Sequence, residues 1–253
     1  MKIKSFAIIF LFTFSIGVVY SEQKDAENID VETLFNKGIE LEKLGKYQEA
    51  IEWYDKALEV EPDFVDVLYN KGVALHELGK YQEALQWYDK AMEVAPNHVD
   101  ILNRVGLSLL NLGKYHEALQ WFDKTLEIES NYIYALFNKG LSLYNLGKYQ
   151  EAIEWYDKAL KVEPNFFEVL YNKGDALSNL GKYQEALQWY DKTLEVEPDD
   201  VDALFKKGSI LSLLAKFQEA IEFYDKALEI DPNHTTALTM KEKLLSVLDW
   251  TVS

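Results

Sequence analysis

The chain of 253 residues contains no cysteine, and only five of its residues are proline. The lack of cysteine excludes disulfides, thiolate metal ligands, cysteine nucleophiles and a lipid-modified N-terminal cysteine. With 48% hydrophobic and 27% charged residues, the composition is too apolar for an extended disordered chain. The length is typical of one or two folded domains.

Positive charge is also scarce. The 26 lysines and arginines are outnumbered by 43 aspartates and glutamates, so the formal net charge is −17. A surface of this charge repels nucleic acid phosphates and anionic lipid, and we expect neither as a partner. The excess of acid suits solubility, or docking to basic partners.

Only one long uncharged apolar run occurs, and it lies at the N-terminus. Lys2 and Lys4 are followed by the 16 residues SFAIIFLFTFSIGVVY and then by Ser21. This order predicts a secretory signal peptide over residues 1–21 and therefore a secreted or extracytoplasmic protein. The run is short for a bilayer span, which needs about 20 residues. An uncleaved N-terminal anchor and a buried helix are the alternatives, and residues 22–30 are predicted to be an acidic linker.

From Val31 onward, a unit of 34 residues recurs six times without insertion. Repeats 1 to 6 span residues 31–64, 65–98, 99–132, 133–166, 167–200 and 201–234. Within each repeat, leucine at positions 4 and 11 and glycine at position 8 lie on one face of a helix. Because glycine costs a helix interior about 1 kcal/mol relative to alanine, its recurrence predicts a close helix crossing. Alanine at position 20 and an aromatic residue at position 24 predict a second helix packed antiparallel on the first.

The segment LGKYQEA connects the two helices of a repeat. It begins at Leu44 and returns, with small changes, in every repeat. Its glycine is predicted to take the left-handed conformation that ends a helix, and Ala215 predicts a less favourable turn in repeat 6. Proline at position 32 ends the second helix, except in repeat 3, where Ser130 replaces it. The aspartate or asparagine that follows, such as Asp63, is predicted to be the N-cap of the next first helix.

After repeat 6 the pattern changes. Leu238, Leu245 and Leu248 keep positions 4, 11 and 14, but Glu242 replaces the glycine and no second helix follows. Residues 235–250 are therefore predicted to be a lone amphipathic helix that caps the array, with its polar side toward water. One helix pair cannot bury its own apolar faces, whereas stacked neighbours can.

Leucine at position 4, glycine at 8, tyrosine at 17, alanine at 20 and 27, an aromatic at 24 and proline at 32 resemble the tetratricopeptide repeat (TPR). The resemblance covers residues 31–234. It implies an all-α, right-handed α-α superhelix (TPR solenoid), with first helices lining a concave groove and second helices on the convex side. It also implies a non-catalytic protein-interaction scaffold that binds a peptide or protein in the groove.

The same resemblance implies that positions 2, 5, 6, 9, 12 and 13 face the groove, with an apolar patch in repeats 3 and 4. The candidate partner-binding residues are Phe35, Tyr69, Asn70, Asn103, Arg104, Leu107, Leu110, Tyr134, Phe137, Asn138, Leu141, Tyr144, Tyr171 and Asn172. Exposed apolar patches commonly mark partner sites. The alternative is that these side chains pack on one another across neighbouring helices.

The chemistry of the partner is constrained by what the groove positions lack. Some family members hold an acidic tail with lysines at positions 2 and 5 and an asparagine at position 9. Here position 2 is mostly acidic, position 5 has no lysine and position 9 has no asparagine. We therefore expect an apolar or basic partner rather than an acidic-tailed one.

Two further positions carry nearly the same residue in every repeat, and they are called the lysine column and the tryptophan column. Position 7 is lysine in every repeat except the third, which has Val105, and its ammonium is expected to reach water. A cation ladder for a ligand is the alternative. Position 23 is tryptophan in five repeats and Phe223 in the sixth, and each ring is expected to pack partly against the next repeat. A second contact face is the alternative.

No catalytic constellation is present in the sequence. None of the four histidines pairs with another at i, i+4, and there is no nucleophile elbow, phosphate loop or calcium loop. We expect no metal, no cofactor and no enzymatic activity, and membrane contact only through an uncleaved N-terminal segment. A self-assembling structural solenoid and a non-catalytic subunit of an extracytoplasmic complex are the alternatives to a peptide-binding scaffold.

Overall fold

The computed structural model describes residues 30–252, so the predicted signal peptide and nearly all of the predicted linker lie outside the described residues. The described residues form thirteen α-helices and no strand. The helices are α1 Val31–Lys43, α2 Tyr47–Val60, α3 Val65–Glu77, α4 Tyr81–Val94, α5 Val99–Asn111, α6 Tyr115–Ile128, α7 Ile133–Asn145, α8 Tyr149–Val162, α9 Phe167–Asn179, α10 Tyr183–Val196, α11 Val201–Leu213, α12 Phe217–Ile230 and α13 Thr235–Val252. The all-α solenoid of tandem helix pairs is confirmed.

The chain divides into two compact units. Unit 1 ends at Pro96 and contains α1 to α4, and unit 2 begins at Asn97 and contains α5 to α13. In unit 2 one continuous hydrophobic core runs from Leu136 of α7 to Leu244 of α13. Each helix pair therefore shares its core with its neighbours within the unit.

The predicted close crossing lies at position 8. A Cβ atom built on Gly140 would lie 2.5 Å from Cε1 of Tyr156, the buried ring at position 24 of the same repeat. The other five repeats have the same contact between their glycine and their ring. The glycines are thus required because the ring of the second helix occupies the space of their missing side chain.

The turn between the two helices of a repeat closes as predicted. Gly45 has a φ of 71°, its N–H donates to the carbonyl of Glu42, and the next N–H, from Lys46, donates to the carbonyl of Leu41. This bond pair is the Schellman motif. Ala215 holds the same conformation with a φ of 58°, which a residue with a Cβ adopts at a cost of about 1 kcal/mol.

The predicted N-caps at position 33 are wrong. First helices are preceded by the residue at position 34, for example Phe64, whose side chain makes no capping hydrogen bond. Three exceptions are Asp30, which accepts a hydrogen bond from the N–H of Thr33, Asp200, which accepts from the N–H of Ala203, and His234, whose Nδ1 accepts from the N–H of Ala237. The aromatic residues at this position serve packing instead of capping, as the ring contacts described below show.

Positions 3 and 10 of the first helices carry the contact between repeats. Val169 and Ala176 of α9 are fully buried, and so is Ala237 at position 3 of α13. The main neighbour of α13 among the described residues is α12, so burial there comes from the preceding repeat. In α1, which no repeat precedes within the described residues, Thr33 and Glu40 occupy these positions and are exposed.

The predicted orientation of α13 is only partly correct. Leu248 packs against the core together with Leu244 and Ala237, whereas Leu238 and Leu245 are 44% and 42% exposed. Within the described residues no second helix packs on positions 4 and 11 of α13. The side turned to water is therefore partly apolar.

Candidate functional site

The candidate surface in unit 2 is the first-helix face, formed by positions 2, 5, 6, 9 and 12 of α5, α7, α9 and α11. In repeats 3 and 4 this face is apolar. Tyr134 is 55% exposed, while Leu107, Leu141 and Tyr144 are half-buried. Leu110, also predicted to bind, is buried and reaches no open surface.

The aromatic residues at position 5 have structural partners. The ring of Phe137 lies 5.5 Å from Phe166 and 6.3 Å from Tyr156, measured between centroids. In repeat 5, Tyr171 packs 5.9 Å from Tyr190. These rings therefore contribute to the core as well as to the first-helix face.

The same is true of the candidate residues in unit 1. The ring centroid of Phe35 lies 5.5 Å from that of Phe64, and the centroid of Tyr69 lies 6.2 Å from that of Tyr88. Asn70 donates from Nδ2 to the carbonyl of Asp66, one turn earlier in its own helix, at 2.7 Å. Because the amide nitrogen of Asn70 already donates within the helix, a ligand there would contact mainly the side-chain oxygen.

The predicted asparagines of unit 2 fall into two groups. Asn103 and Asn138 are both buried, and Nδ2 of Asn138 donates to Oδ1 of Asn103 at 3.3 Å. Asn172 donates to the carbonyl of Glu168 at 2.7 Å and is half-buried. The neighbouring Arg104 is half-buried as well. Of this set, only Arg104 and Asn172 reach the surface.

A polar network in repeats 5 and 6 was not predicted. Lys206 donates from Nζ to both carboxylate oxygens of the buried Asp175, at 2.9 and 3.1 Å, and the hydroxyl of Tyr190 donates to the same carboxylate. Asn179 bridges the carbonyl of Asp175 and the hydroxyl of Tyr144, at 2.9 and 3.0 Å. The signal was present in the sequence, because aspartate breaks the mostly apolar position 9 and lysine breaks the asparagine-rich position 6.

This network shifts the titration of the tyrosines around it. Burial, reinforced by the negative charge of Asp175, raises the pKa of Tyr190 and of Tyr171 well above their usual range. The same two causes raise the pKa of Tyr144, although the hydrogen bond from Asn179 opposes them. The hydroxyls on this part of the face are therefore neutral donors at physiological pH.

Lys37 of repeat 1 is exposed, as predicted, but the lysines of position 7 in the later repeats do not extend into water. The side chain of Lys173 is 8% exposed, its ammonium pairs with Asp157 of the preceding repeat, and it lies 3.6 Å from the ring centroid of Trp189. Lys192, one turn along the same helix as Trp189, lies 3.9 Å from that centroid. The lysine column is an internal inter-repeat contact, and the tryptophan column supplies the rings that receive it.

Comparison with known families agrees with this architecture. Models of the tetratricopeptide repeat match residues 35–93, 87–120, 133–166 and 171–235, which together make up more than half of the chain. The chain belongs to the tetratricopeptide repeat family. Proteins of this family are in general non-catalytic scaffolds for protein interaction, and the TPR fold of this chain supports such a role.

Several solved TPR structures are similar to this chain. YrrB, a TPR protein with an unusual peptide-binding site, is 26% identical, with a TM-score of 0.59 over 75% of this chain and 97% of YrrB. PilW, a type IV pilus biogenesis factor, is 19% identical, with a TM-score of 0.76 over 85% of this chain and 98% of PilW. A TPR protein from Parabacteroides merdae is 22% identical, with a TM-score of 0.69 over 88% of each chain. No curated protein matches the chain in sequence.

The described part of the chain contains neither a membrane-spanning helix nor a cluster of metal-binding side chains. Between residues 30 and 252 no helix has both the length and the apolar character needed to cross a membrane. Over the same residues no three histidines, aspartates or glutamates come together as a potential metal site.

Proposed function

We propose that the protein is an exported, non-catalytic scaffold that binds a peptide or protein segment on the first-helix face of unit 2, centred on repeats 3 and 4. The observation that carries this proposal is the apolar face around Tyr134. Tyr134 is 55% exposed, and its ring packs edge-on against Tyr132 and Phe166. The half-buried Leu107, Leu141 and Tyr144 are further apolar residues of the same face. Exposed aromatic residues in an apolar surround are the usual anchors of protein interfaces.

The charge around this face favours a partner with apolar and basic residues. Position 2 supplies Asp100, Glu168 and Asp202 at one edge of the face, and the whole chain carries a net charge of −17. Farther along, the pairing of Asp175 with Lys206 makes repeats 5 and 6 polar without adding net charge. A segment with an apolar stretch followed by polar or basic residues would match the apolar part of the face in repeats 3 and 4 and its polar part in repeats 5 and 6.

A selection of peptides from a displayed random library against the full chain tests this proposal. Tyr134→Ala should weaken binding of the selected peptides by about tenfold or more, because truncating an interface anchor costs over about 1.4 kcal/mol. The matched control is Leu44→Ala, which removes an even more exposed apolar side chain from the turn after α1. Equal affinities for Tyr134→Ala and the unmodified chain would disprove the assignment of this face.

Export is a separate part of the proposal and is supported by the N-terminal sequence. Mass spectrometry of the protein recovered from its producing cell should show a chain that begins at Glu22. An intact N-terminus at Met1 in the cytosolic fraction would contradict export, and an intact chain in the membrane fraction would favour the uncleaved anchor.

Self-assembly is the alternative function, and the exposed Leu238 and Leu245 of α13 are the observation that favours it. Light scattering over a range of concentrations separates the two functions. A strict monomer would remove self-assembly, whereas growth with concentration that Leu238→Glu abolishes would support it.

A further inference from the structure

A cleft of about 490 Å³ opens between repeats 3 and 4, on the side of the second helices and away from the first-helix face. Its apolar wall is formed by Leu126, Leu136, Trp155 and Val162. The cleft lies entirely within unit 2. Its volume lies within the range of about 300–1,000 Å³ that is typical of small-molecule sites.

The polar residues of this cleft include two departures from the repeat. Lys161 stands at position 29, which is glutamate in the five other repeats, and Ser130 stands at position 32, which is proline in the five others. They come from different repeats, yet both line the same cleft. Lys158, a lysine common to all repeats, lines it as well, with its ammonium 3.4 Å from the ring centroid of Trp155.

Neither departure is explained by the needs of the fold. A lysine near a helix C-terminus favours the helix dipole, but the five equivalent helices have glutamate at this position and form equally well. Lys161 is exposed and forms no ion pair within residues 30–252. Ser130 is exposed too, and its loop has the same outline as the loops that contain proline.

The equivalent cleft between repeats 5 and 6 provides a comparison within the same molecule. It has a similar volume, about 460 Å³, but its charged lining residues are two carboxylates, Asp191 and Glu195, balanced by Lys207 and Lys226. Pro198 takes the place of Ser130, and the residue equivalent to Lys161 is Glu229. The cleft between repeats 3 and 4 has no carboxylate among its described lining residues. Two clefts of similar volume thus differ in charge, since the lining of the first carries two lysines and no carboxylate, whereas the charges lining the second balance.

We infer that the cleft between repeats 3 and 4 binds a small carboxylic acid with an apolar body. Lys161 and Lys158 would attract the carboxylate, and the hydroxyl of Ser130 would donate a hydrogen bond to it. The body would lie against the neighbouring aliphatic side chains and the edge of Trp155, because the ammoniums of Lys139 and Lys158 already lie 3.7 and 3.4 Å from the centroid of that ring. This site is independent of the proposed peptide-binding face, which lies on the first helices.

Three probes separate the contributions of charge and apolar body: 4-phenylbutyrate, the uncharged 4-phenylbutanamide, and acetate. Binding to the full chain is followed by the NMR shift of the Trp155 indole N–H, which Trp155→Phe identifies. We expect 4-phenylbutyrate to shift this signal with a Kd of about one millimolar, since it has few atoms. The amide and acetate should bind at least about tenfold more weakly. Equal binding of acid and amide, or no shift with the acid, would overturn the inference.

The decisive variant is Lys161→Glu, which installs the residue found in the other repeats and so keeps the fold. It should weaken 4-phenylbutyrate binding about tenfold or more. Lys43→Glu makes the same charge change on an exposed position of α1 and should leave the Kd unchanged. Equal loss in both variants would show general charge attraction and would refute a defined site.

A second variant, Ser130→Pro, also installs the residue found in the other repeats and should weaken binding to a smaller extent. Unchanged binding in both Lys161→Glu and Ser130→Pro would refute the site as well.

Discussion

At position 24 every repeat buries one aromatic ring against the glycine of its own first helix. Tyrosine holds this place five times, and Phe122 holds it in repeat 3. The ring is needed in all repeats, whereas the hydroxyl has a different environment in each. Tyr190 donates to Asp175, but the hydroxyl of Tyr156 is buried with no hydrogen-bond partner in the described part of the chain.

Two tyrosine-to-phenylalanine substitutions should therefore have opposite effects. Tyr156→Phe removes an unsatisfied buried hydroxyl and should raise the free energy of unfolding by about 1 kcal/mol. Tyr190→Phe removes a hydrogen bond to a buried carboxylate and should lower it by about 1–3 kcal/mol. Urea unfolding followed by circular dichroism measures both. Shifts of the midpoint in the same direction would contradict the hydrogen-bonding pattern described for this column.

At the scale of helices, the contact between consecutive repeats contains an ion pair that is partly enclosed by an aromatic ring. The Lys–Asp pairing recurs at Lys71, Lys139, Lys173, Lys207 and Lys241, each with the aspartate of the preceding second helix. Because the lysine is enclosed while the aspartate is half-exposed, losing the aspartate leaves a poorly solvated ammonium.

Asp157→Asn should consequently lower the free energy of unfolding by about 1–2 kcal/mol, less than for a fully buried pair because Asp157 is half-exposed. Asp89→Asn is the matched control. It changes the same position of repeat 2, and the lysine position of the following repeat holds the uncharged Val105. Burial and the nearby Glu93 raise the pKa of Asp89, so its neutralisation should cost little or nothing. Equal losses in urea unfolding would show that Lys173 gains nothing from Asp157.

At the scale of the whole molecule, buried tyrosines are spread through both units. Burial is the first cause that raises the pKa of Tyr54 in unit 1 and of Tyr156, Tyr171 and Tyr190 in unit 2. In each case the folded state favours the neutral phenol. The stability linked to these groups is complete below the pKa of an unfolded tyrosine, about 10, and is lost as pH rises above that value.

The protein should therefore unfold in alkali above about pH 10, with stability falling by up to about 1.4 kcal/mol per pH unit for each buried tyrosine. Thermal unfolding between about pH 8 and pH 11 tests this, with tyrosinate absorbance recorded in parallel. The part of the tyrosinate signal that comes from the buried tyrosines should appear together with unfolding. Repetition at high salt distinguishes this linkage from general charge repulsion, which salt would screen. Ionisation of all tyrosines before any unfolding would contradict their burial.

Much of the fold followed from sequence because its determinants are local or repeat at fixed spacing. Helix faces depend on residues three and four apart, Gly45 ends its helix through backbone sterics, and Gly140 meets the ring 16 residues later in the same repeat. The candidate site was predictable only in part. Exposure of Tyr134 agrees with its predicted place, but whether Asn138 binds a ligand or Asn103 depends on the neighbouring repeat.

The sequence by itself determined the period, the all-α class, the helix pairs and the left-handed turns. Tertiary structure decided which side chains meet across repeats, over separations of 16 to 35 residues: Lys173 with Asp157, Lys206 with Asp175, and Asn138 with Asn103. It also decided that Leu238 of α13 is exposed, because no second helix packs on that side of α13 within the described residues. The physical reason is that periodicity defines the face on which a residue lies, whereas burial and pairing depend on what stacks against that face.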